Sequence, residues 1–457
     1  MLKPWHPSNQ AGLSCGWRCL ERSFVQANRG RVTRECTIPT VRILFISHGT
    51  RGDVQPLLAL AVALRASGHD VRFLVPANFV EWVCSHGFPC DSDGIDVHAV
   101  LTSPDVNPQS FRYQLRYVRA VADRLFEAAV RASAGTELIV GAALQLQAAS
   151  AADLRGVPHV SAVFCPCAVP SDTAPPIPWQ TMPAWMNRTC WRLGLPAGDV
   201  LLRGAVSAHR ATHGLGPVRR PLTSLAEGRT LLAADRDLGP LGHGAPPAVV
   251  QTDAWILAGR DELDPRIDAF LRAGPPPIYI GFGSMVATDT ARLASSIAAA
   301  APAAGRLIIS GGWAALHQKV PAAGGMSAEV SANVLTIDEA PHDALFPRVA
   351  AVVHHGGAGT TGAAARAGVP QVILPHLLDQ YYWAHRIERL GLGPPAPRVE
   401  HVTAEALARC LRLVVDDARF GARARAFGAR VAPRNGVGAA VEYLEAVGRT
   451  RRSRDTS

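Results

Sequence analysis

The chain has 457 residues, 48% of them apolar and 18% charged, with 41 glycines and 35 prolines; this excludes disordered, collagen-like and disulfide-scaffold proteins and implies at least two domains. Its net charge of +9 sits mostly at the ends, +4 in residues 1–40 and +3 in residues 446–457, so the near-neutral body carries no footprint for nucleic acid. Nine cysteines, without two pairs at zinc-ligand spacing, and no apolar run of about 18 residues point to reduced thiols in a cytoplasmic protein that associates with membranes at most peripherally.

Residues 1–40 have no clean period and read as an unstructured extension or a start codon assigned too far upstream. Val41–Ser47 is a short apolar run with β-branched residues and reads as a buried strand. The loop His48-Gly-Thr-Arg-Gly-Asp53 follows, then a helical pattern from Val54 to Ser67 with Pro56 near its start and Gly68 at its end. Val71–Val75 is the next strand, which makes a βαβ unit and implies a parallel sheet. Residues 138–141 and 157–164 add strands around a helix at Ala148–Arg155. Residues 165–185, rich in Pro and Trp, read as a long surface loop that shapes a pocket.

Gly- and Pro-rich stretches at 239–248 and 273–277 bracket the expected domain boundary. A second α/β series has strands at 277–280, 306–309, 334–337, 350–353 and 371–374, and helices at 403–415 and 417–446 close the chain. Two doubly wound halves place a ligand between the carboxyl ends of their strands.

The densest motif lies in residues 341–380. Val353-His-His-Gly-Gly-Ala-Gly-Thr-Thr361 is a strand that ends in two histidines and opens into glycines before a helix. The glycines allow close backbone approach, the threonine pair can cap the helix, and the helix N-terminus suits a diphosphate. A structural turn that binds nothing is the alternative. Pro341-His-Asp precedes the motif, and Gly368-Val-Pro370 and Asp379-Gln380 follow it.

This segment resembles the donor-binding signature of family 1 glycosyltransferases, the UDP-glycosyltransferase superfamily, and is closest to its bacterial sterol-glucosyltransferase-like and antibiotic (macrolide and glycopeptide) branch. The resemblance covers roughly residues 41–445 and weakens between about 100 and 245. It implies a GT-B-like α/β fold with two Rossmann-type domains facing across a cleft. Residues 41–240 would bind the acceptor and 250–425 the nucleotide sugar. A helix at 426–446 would return to the first domain, and 447–457 would be a basic tail.

Carried over by position, Ser284, His355, Gly357, Gly359 and Thr360 would hold the donor diphosphate. Asp379 and Gln380 would hold the sugar hydroxyls, with Ile337, Ala340 and His342 near the base. An acidic ribose-binding residue of the plant members is replaced here by Ala363, which leaves UDP and dTDP donors both open. Gly281-Phe-Gly-Ser284 resembles the family's phosphate-contacting turn, and Trp313 reads as a packed aromatic. Asp53 stands where many relatives have a catalytic histidine and would be the general base, although it can also serve as a helix cap; His48 is the rival.

The resemblance implies no metal and no cofactor beyond the sugar-nucleotide co-substrate. The expected reaction is inverting transfer of a hexose to a hydroxyl of a lipophilic acceptor, a sterol or other lipid, or a polyketide or peptide product. Trp179, Trp185 and Trp191 are consistent with such an acceptor. A nucleotide-sugar 2-epimerase and a catalytically silent scaffold are the alternatives.

Overall fold

The computed structural model describes residues 39–103, 111–257, 259, 262–285, 289–322, 332–377 and 379–455. The expected extension at 1–40 therefore lies outside the described residues except for its last two.

The first sheet has seven parallel strands: β1 Arg42–Ile46, β2 Asp70–Val75, β3 Cys90–Ser92, β4 Leu138–Ala142, β5 His159–Val163, β6 Thr230–Leu232 and β7 Val249–Gln251. Their order is β3-β2-β1-β4-β5-β6-β7. β1 is apolar without alternation because both of its faces are covered. Ile43 and Phe45 pack with Leu57, Leu60 and Phe73 on one side, and Leu44 and Ile46 with Ala128, Ala129 and Ala148 on the other. The second sheet has five parallel strands: β8 Ile278–Ile280, β9 Leu307–Ser310, β10 Val334–Ile337, β11 Ala351–His354 and β12 Gln371–Ile373, in the order β10-β9-β8-β11-β12. In each sheet the strand order reverses beside the first strand, between β1 and β4 and between β8 and β11. Loops leaving the carboxyl ends diverge at such a reversal and leave a crevice for a ligand.

Apolar seams and ion pairs join the two domains. Val163, Val169, Leu232 and Leu238 of the first domain pack with Ile373, Trp383 and Phe427 of the second. Arg366 grips Asp235 with two hydrogen bonds of 2.5 and 3.0 Å, and the Asp235 side chain is fully buried. The final helix, Gly436–Asp455, crosses back and places Ala440, Val441 and Leu444 in the core around β1. Gly436 is required at this crossing, because a Cβ would come within 2.4 Å of the Asp253 carbonyl oxygen.

Three boundaries differ from expectation. The first domain does not end at 240, because β7 at Val249–Gln251 completes its sheet. Three-residue strands such as β3, β6 and β7 carry no readable period, and pairing with a neighbour defines them. The returning helix spans Gly436–Asp455 rather than 426–446, and the basic tail expected at 447–457 continues that helix to Asp455. Ala418–Val431 is a separate helix that packs on the second domain. The stretch after the Pro/Trp-rich loop is a 29-residue helix, Ala184–Thr212, with Pro196 inside it.

Candidate functional site

In the second domain, β8 runs into Gly281-Phe-Gly-Ser284 and β11 into His355-Gly-Gly357, so both loops flank the reversal of strand order. Gly283 has φ +53° and accepts a 2.8 Å hydrogen bond from the Trp313 N–H. Ser284 is partly exposed beside it. Gly356 has φ +94°, and a Cβ there would strike Ile373 at 2.7 Å. The threonine pair does not cap the next helix. Ala358–Arg366 begins earlier, with Gly357 as its N-cap and no side-chain cap. Thr361 instead turns back, its Oγ1 donating to the Gly357 carbonyl at 2.8 Å. Helix geometry leaves the N–H groups of Ala358, Gly359 and Thr360 pointing out of the first turn.

The two histidines do different work. His354 is fully buried, hydrogen-bonded through Nε2 to Gln371 at 2.9 Å, and accepts the Gly356 N–H at Nδ1. His355 lies over the loop; a Cβ on Gly357 would come within 2.4 Å of its Nε2. Its Nδ1 is buried without a hydrogen-bond partner among the described residues. His376, three residues before Asp379, is buried 6.5 Å from the His355 ring and donates from Nδ1 to the Leu374 carbonyl at 2.9 Å.

Burial pushes His354 and His376 down to about 4. His342 is likewise pushed down to about 4, first by burial and then by the Arg51 charge. His355 lies well below the ordinary value, through burial and then repulsion from His354, His376 and His342. The cluster is neutral at pH 7, so it offers ring N–H groups and not positive charge.

Ile337, Ala340 and His342 lie together at the end of β10. Ile337 is buried, and Ala340 packs in the same cluster. The His342 ring stacks on Phe346 at 4.2 Å. Asp343 of the Pro-His-Asp triplet holds the interdomain linker, accepting the Gly259 N–H at 2.8 Å. Trp313 packs edge-on to His98 at 4.9 Å and stacks with Phe79 of the first domain.

In the first domain the helix starts at Arg51 and not Val54, because Thr50 and Asp53 form a reciprocal capping box. The Thr50 N–H donates to Asp53 Oδ2 at 2.8 Å, and a Cβ on Gly49 would come within 2.2 Å of the same oxygen. Glycine at 49 is what lets this carboxylate fold back over the strand end. Burial raises Asp53, opposed by its hydrogen bonds to Thr50 and by His48.

His48 lies in a chain that sequence reasoning missed. Its Nδ1 meets Asp93 Oδ2 at 2.6 Å, and its Nε2 meets the Tyr117 hydroxyl at 2.9 Å. Asp93 is buried and also accepts the Ile95 N–H at 2.9 Å. Burial, then the Asp93 charge, pushes Tyr117 up to about 12. Asp93 and Tyr117 stand 45 and 69 positions from His48, and neither lies in a motif.

The two domains meet at carboxylates. Asp379 begins the helix Asp379–Leu390 and is pushed up to about 7, first by burial and then by the charge of Asp53 across the cleft. Gln380 is buried, and its side-chain oxygen accepts the N–H groups of His376 and Leu377 at 2.8 and 3.2 Å. What Gln380 can offer a ligand is its amide N–H pair. Arg51 bridges to Glu339 of the second domain at 2.6 Å.

These environments set a pH dependence of stability. A histidine held near 4 in the fold and near 6.5 when unfolded favours the folded state fully above pH 6.5, and that contribution is lost as pH falls toward 4. His354 and His376 should each cost about 2 kcal/mol by pH 5. Asp379 acts with the opposite sign, since its raised value makes the fold gain stability as pH falls below 7. With six depressed histidines against two raised carboxyls, Asp53 and Asp379, among the described residues, the urea midpoint should drop between pH 7.5 and 5. A flat or rising midpoint would mean that the histidines are charged in the fold.

Comparison with known proteins identifies both halves. Residues 43–160 match the glycosyltransferase family 28 N-terminal domain, and residues 319–437 match the erythromycin biosynthesis protein CIII-like C-terminal domain. The chain is 37% identical over 386 residues to a vancomycin aglycone glucosyltransferase of Amycolatopsis orientalis, covering 81% of this chain and 90% of that protein. It is 28% identical over 430 residues to a sterol 3-beta-glucosyltransferase of Sclerotinia sclerotiorum, covering 88% of this chain but 29% of that longer protein. The crystal structure of the glycosyltransferase VinC in complex with dTDP shares the fold with a TM-score of 0.63 and 24% identity, covering 90% of this chain and all of that one.

Proposed function

Since this chain belongs to the family 1 glycosyltransferases, in their antibiotic branch, we propose that it transfers a hexose with inversion from a dTDP- or UDP-sugar to a hydroxyl of a lipophilic natural product, with Asp53 as general base. The chain is a glycosyltransferase of GT-B fold that uses a nucleotide-sugar donor. The mechanistic reading rests on Asp53, in the first turn of the helix after β1, and Asp379, at the start of Asp379–Leu390 in the second domain, lying close enough for the charge of Asp53 to raise Asp379. The base on the first domain must reach a sugar held by the second, on the side of the anomeric carbon away from the leaving diphosphate.

In this reading Asp53 accepts the acceptor proton as the hydroxyl oxygen attacks the anomeric carbon and the nucleoside diphosphate leaves. Asp379, held near 7, can both donate to and accept from sugar hydroxyls. The Gln380 amide supplies further donors. His355, Ser284 and the N–H groups of Gly359 and Thr360 face the leaving diphosphate, where fixed donors stabilise developing charge. Ile337, Ala340 and His342 border the nucleotide base. Because these donors and the helix N-terminus supply the stabilisation, we expect transfer without a metal ion or cofactor. Chelation with EDTA should leave turnover unchanged, and a chelator-sensitive rate restored by magnesium would refute that.

A second reading rests on the Asp93–His48–Tyr117 chain, which fixes a histidine beside Asp53 and makes His48 a competing base. The epimerase and silent-scaffold alternatives gain no support from the relatives. The overall proposal is tested by offering dTDP- and UDP-hexoses with glycopeptide aglycones, macrolides and sterols and looking for the hexose mass increment. Donor hydrolysis without a glycosylated product in every class would count against an acceptor of this kind.

A further inference from the structure

The helix Ala184–Thr212 buries Asn187, Asp199, Val206 and Arg210 against the first domain. The flank beside that buried side is open. Trp185, Leu193 and Val200 are 62, 68 and 61% exposed, and Pro196 is exposed between them. With Arg192 and Arg203, also exposed, these positions recur at spacings of three, four, seven and eight. They therefore form one stripe about 22 Å long, at 1.5 Å per residue between 185 and 200. Single exposed apolar residues are ordinary, but a helical stripe of them is not.

The charge on this face has one sign. Asp199 is the helix's sole acidic residue; it is buried and accepts hydrogen bonds from the Leu222 N–H at 2.7 Å and the Thr223 N–H at 3.1 Å. Arg192 and Arg203 make no ion pair among the described residues. Two copies of this face would bring like charges together, which disfavours self-pairing. A tryptophan, aliphatic side chains and arginines along one stripe instead match a lipid interface, where apolar groups enter the acyl boundary and arginines reach anionic headgroups.

We propose that this face of Ala184–Thr212 docks the protein peripherally on an anionic lipid surface. The site goes beyond the transferase reading and does not depend on it, because the assay below uses neither donor nor acceptor.

The test is cosedimentation of the full chain with vesicles of phosphatidylcholine alone or mixed equally with phosphatidylglycerol. The wild type should partition at least tenfold more strongly onto the mixed vesicles. Arg192→Gln with Arg203→Gln should reduce that partition by about 25-fold, about fivefold per arginine. Leu193→Gln with Val200→Gln should reduce it at least tenfold while leaving the melting temperature unchanged, since both positions are exposed. Both double variants keep the arginines of the chain ends, so a loss in each assigns binding to the helix face. Vesicle binding retained by either double variant, or no preference for the anionic vesicles, would overturn the proposal. So would a wild-type dimer by light scattering that Leu193→Gln/Val200→Gln converts to monomer, since the face would then join two copies.

Discussion

Replacing Asp53 with Asn should lower sugar transfer by roughly 10²–10⁴-fold, the usual contribution of a general base, while leaving the fold intact. The amide oxygen of Asn can still accept the Thr50 N–H that closes the capping box, so thermal stability should change little. Donor affinity should also hold, because the diphosphate-facing loops belong to the other domain. The variant should lose the acid limb of the pH–rate profile. Asp379 should titrate at lower pH than in the wild type, because it no longer faces the charge of Asp53. His48→Ala supplies the contrast. Near-normal transfer in Asp53→Asn together with a dead His48→Ala enzyme would transfer the base role to His48, held by Asp93 and Tyr117.

His355→Ala should weaken donor binding and slow turnover by about 2–4 kcal/mol, roughly 30- to 1000-fold, the cost of removing one fixed donor to a developing anion. His355 is held neutral by burial and by three neighbouring histidines, so the loss is that of a ring N–H and not of a charge. His355→Gln, which keeps an N–H donor, should therefore recover part of the activity, and the ratio of wild-type to His355→Ala donor affinity should stay constant between pH 6 and 8, because titration of Asp379 near 7 is common to both. Unchanged dTDP and UDP affinity together with unchanged turnover in His355→Ala would remove His355 from the donor site. A ratio that falls as pH rises through neutrality would show that the histidine binds as a cation.

Local signals carried much of this protein. The apolar runs at β1, β2, β8, β9, β11 and β12 mark buried parallel strands, because each must be covered on both faces, while β10 at the sheet edge stays half-buried. Glycines at 356 and 357 mark the place where backbone and the His355 ring approach too closely for a Cβ. Asp53 and Asp379 were legible as candidates from the loops that carry them, and Thr50-x-x-Asp53 encodes its own helix start within four residues. The threonines at 360 and 361 misled, because a helix start can be set by the backbone at Gly357 without a side-chain cap.

What the chain could not declare locally depends on separation. Asp93 and Tyr117 reach His48 because β3 and the helix Phe111–Ala132 converge beside the end of β1, and no spacing in the sequence encodes that meeting. Asp379 looks like an ordinary carboxylate until folding buries it opposite Asp53, and a charge's environment is a property of everything packed around it. The same holds for Arg366 and Asp235, which became one buried pair when the domains closed on each other. The sequence by itself determined the two βαβ series, the glycine-rich turns and the identity of the reactive side chains, because these rest on neighbours within a few residues. The tertiary structure alone decided which of those side chains face each other, what protonation state each holds, and which helix face was left open, because those follow from long-range burial and from the field of distant charges.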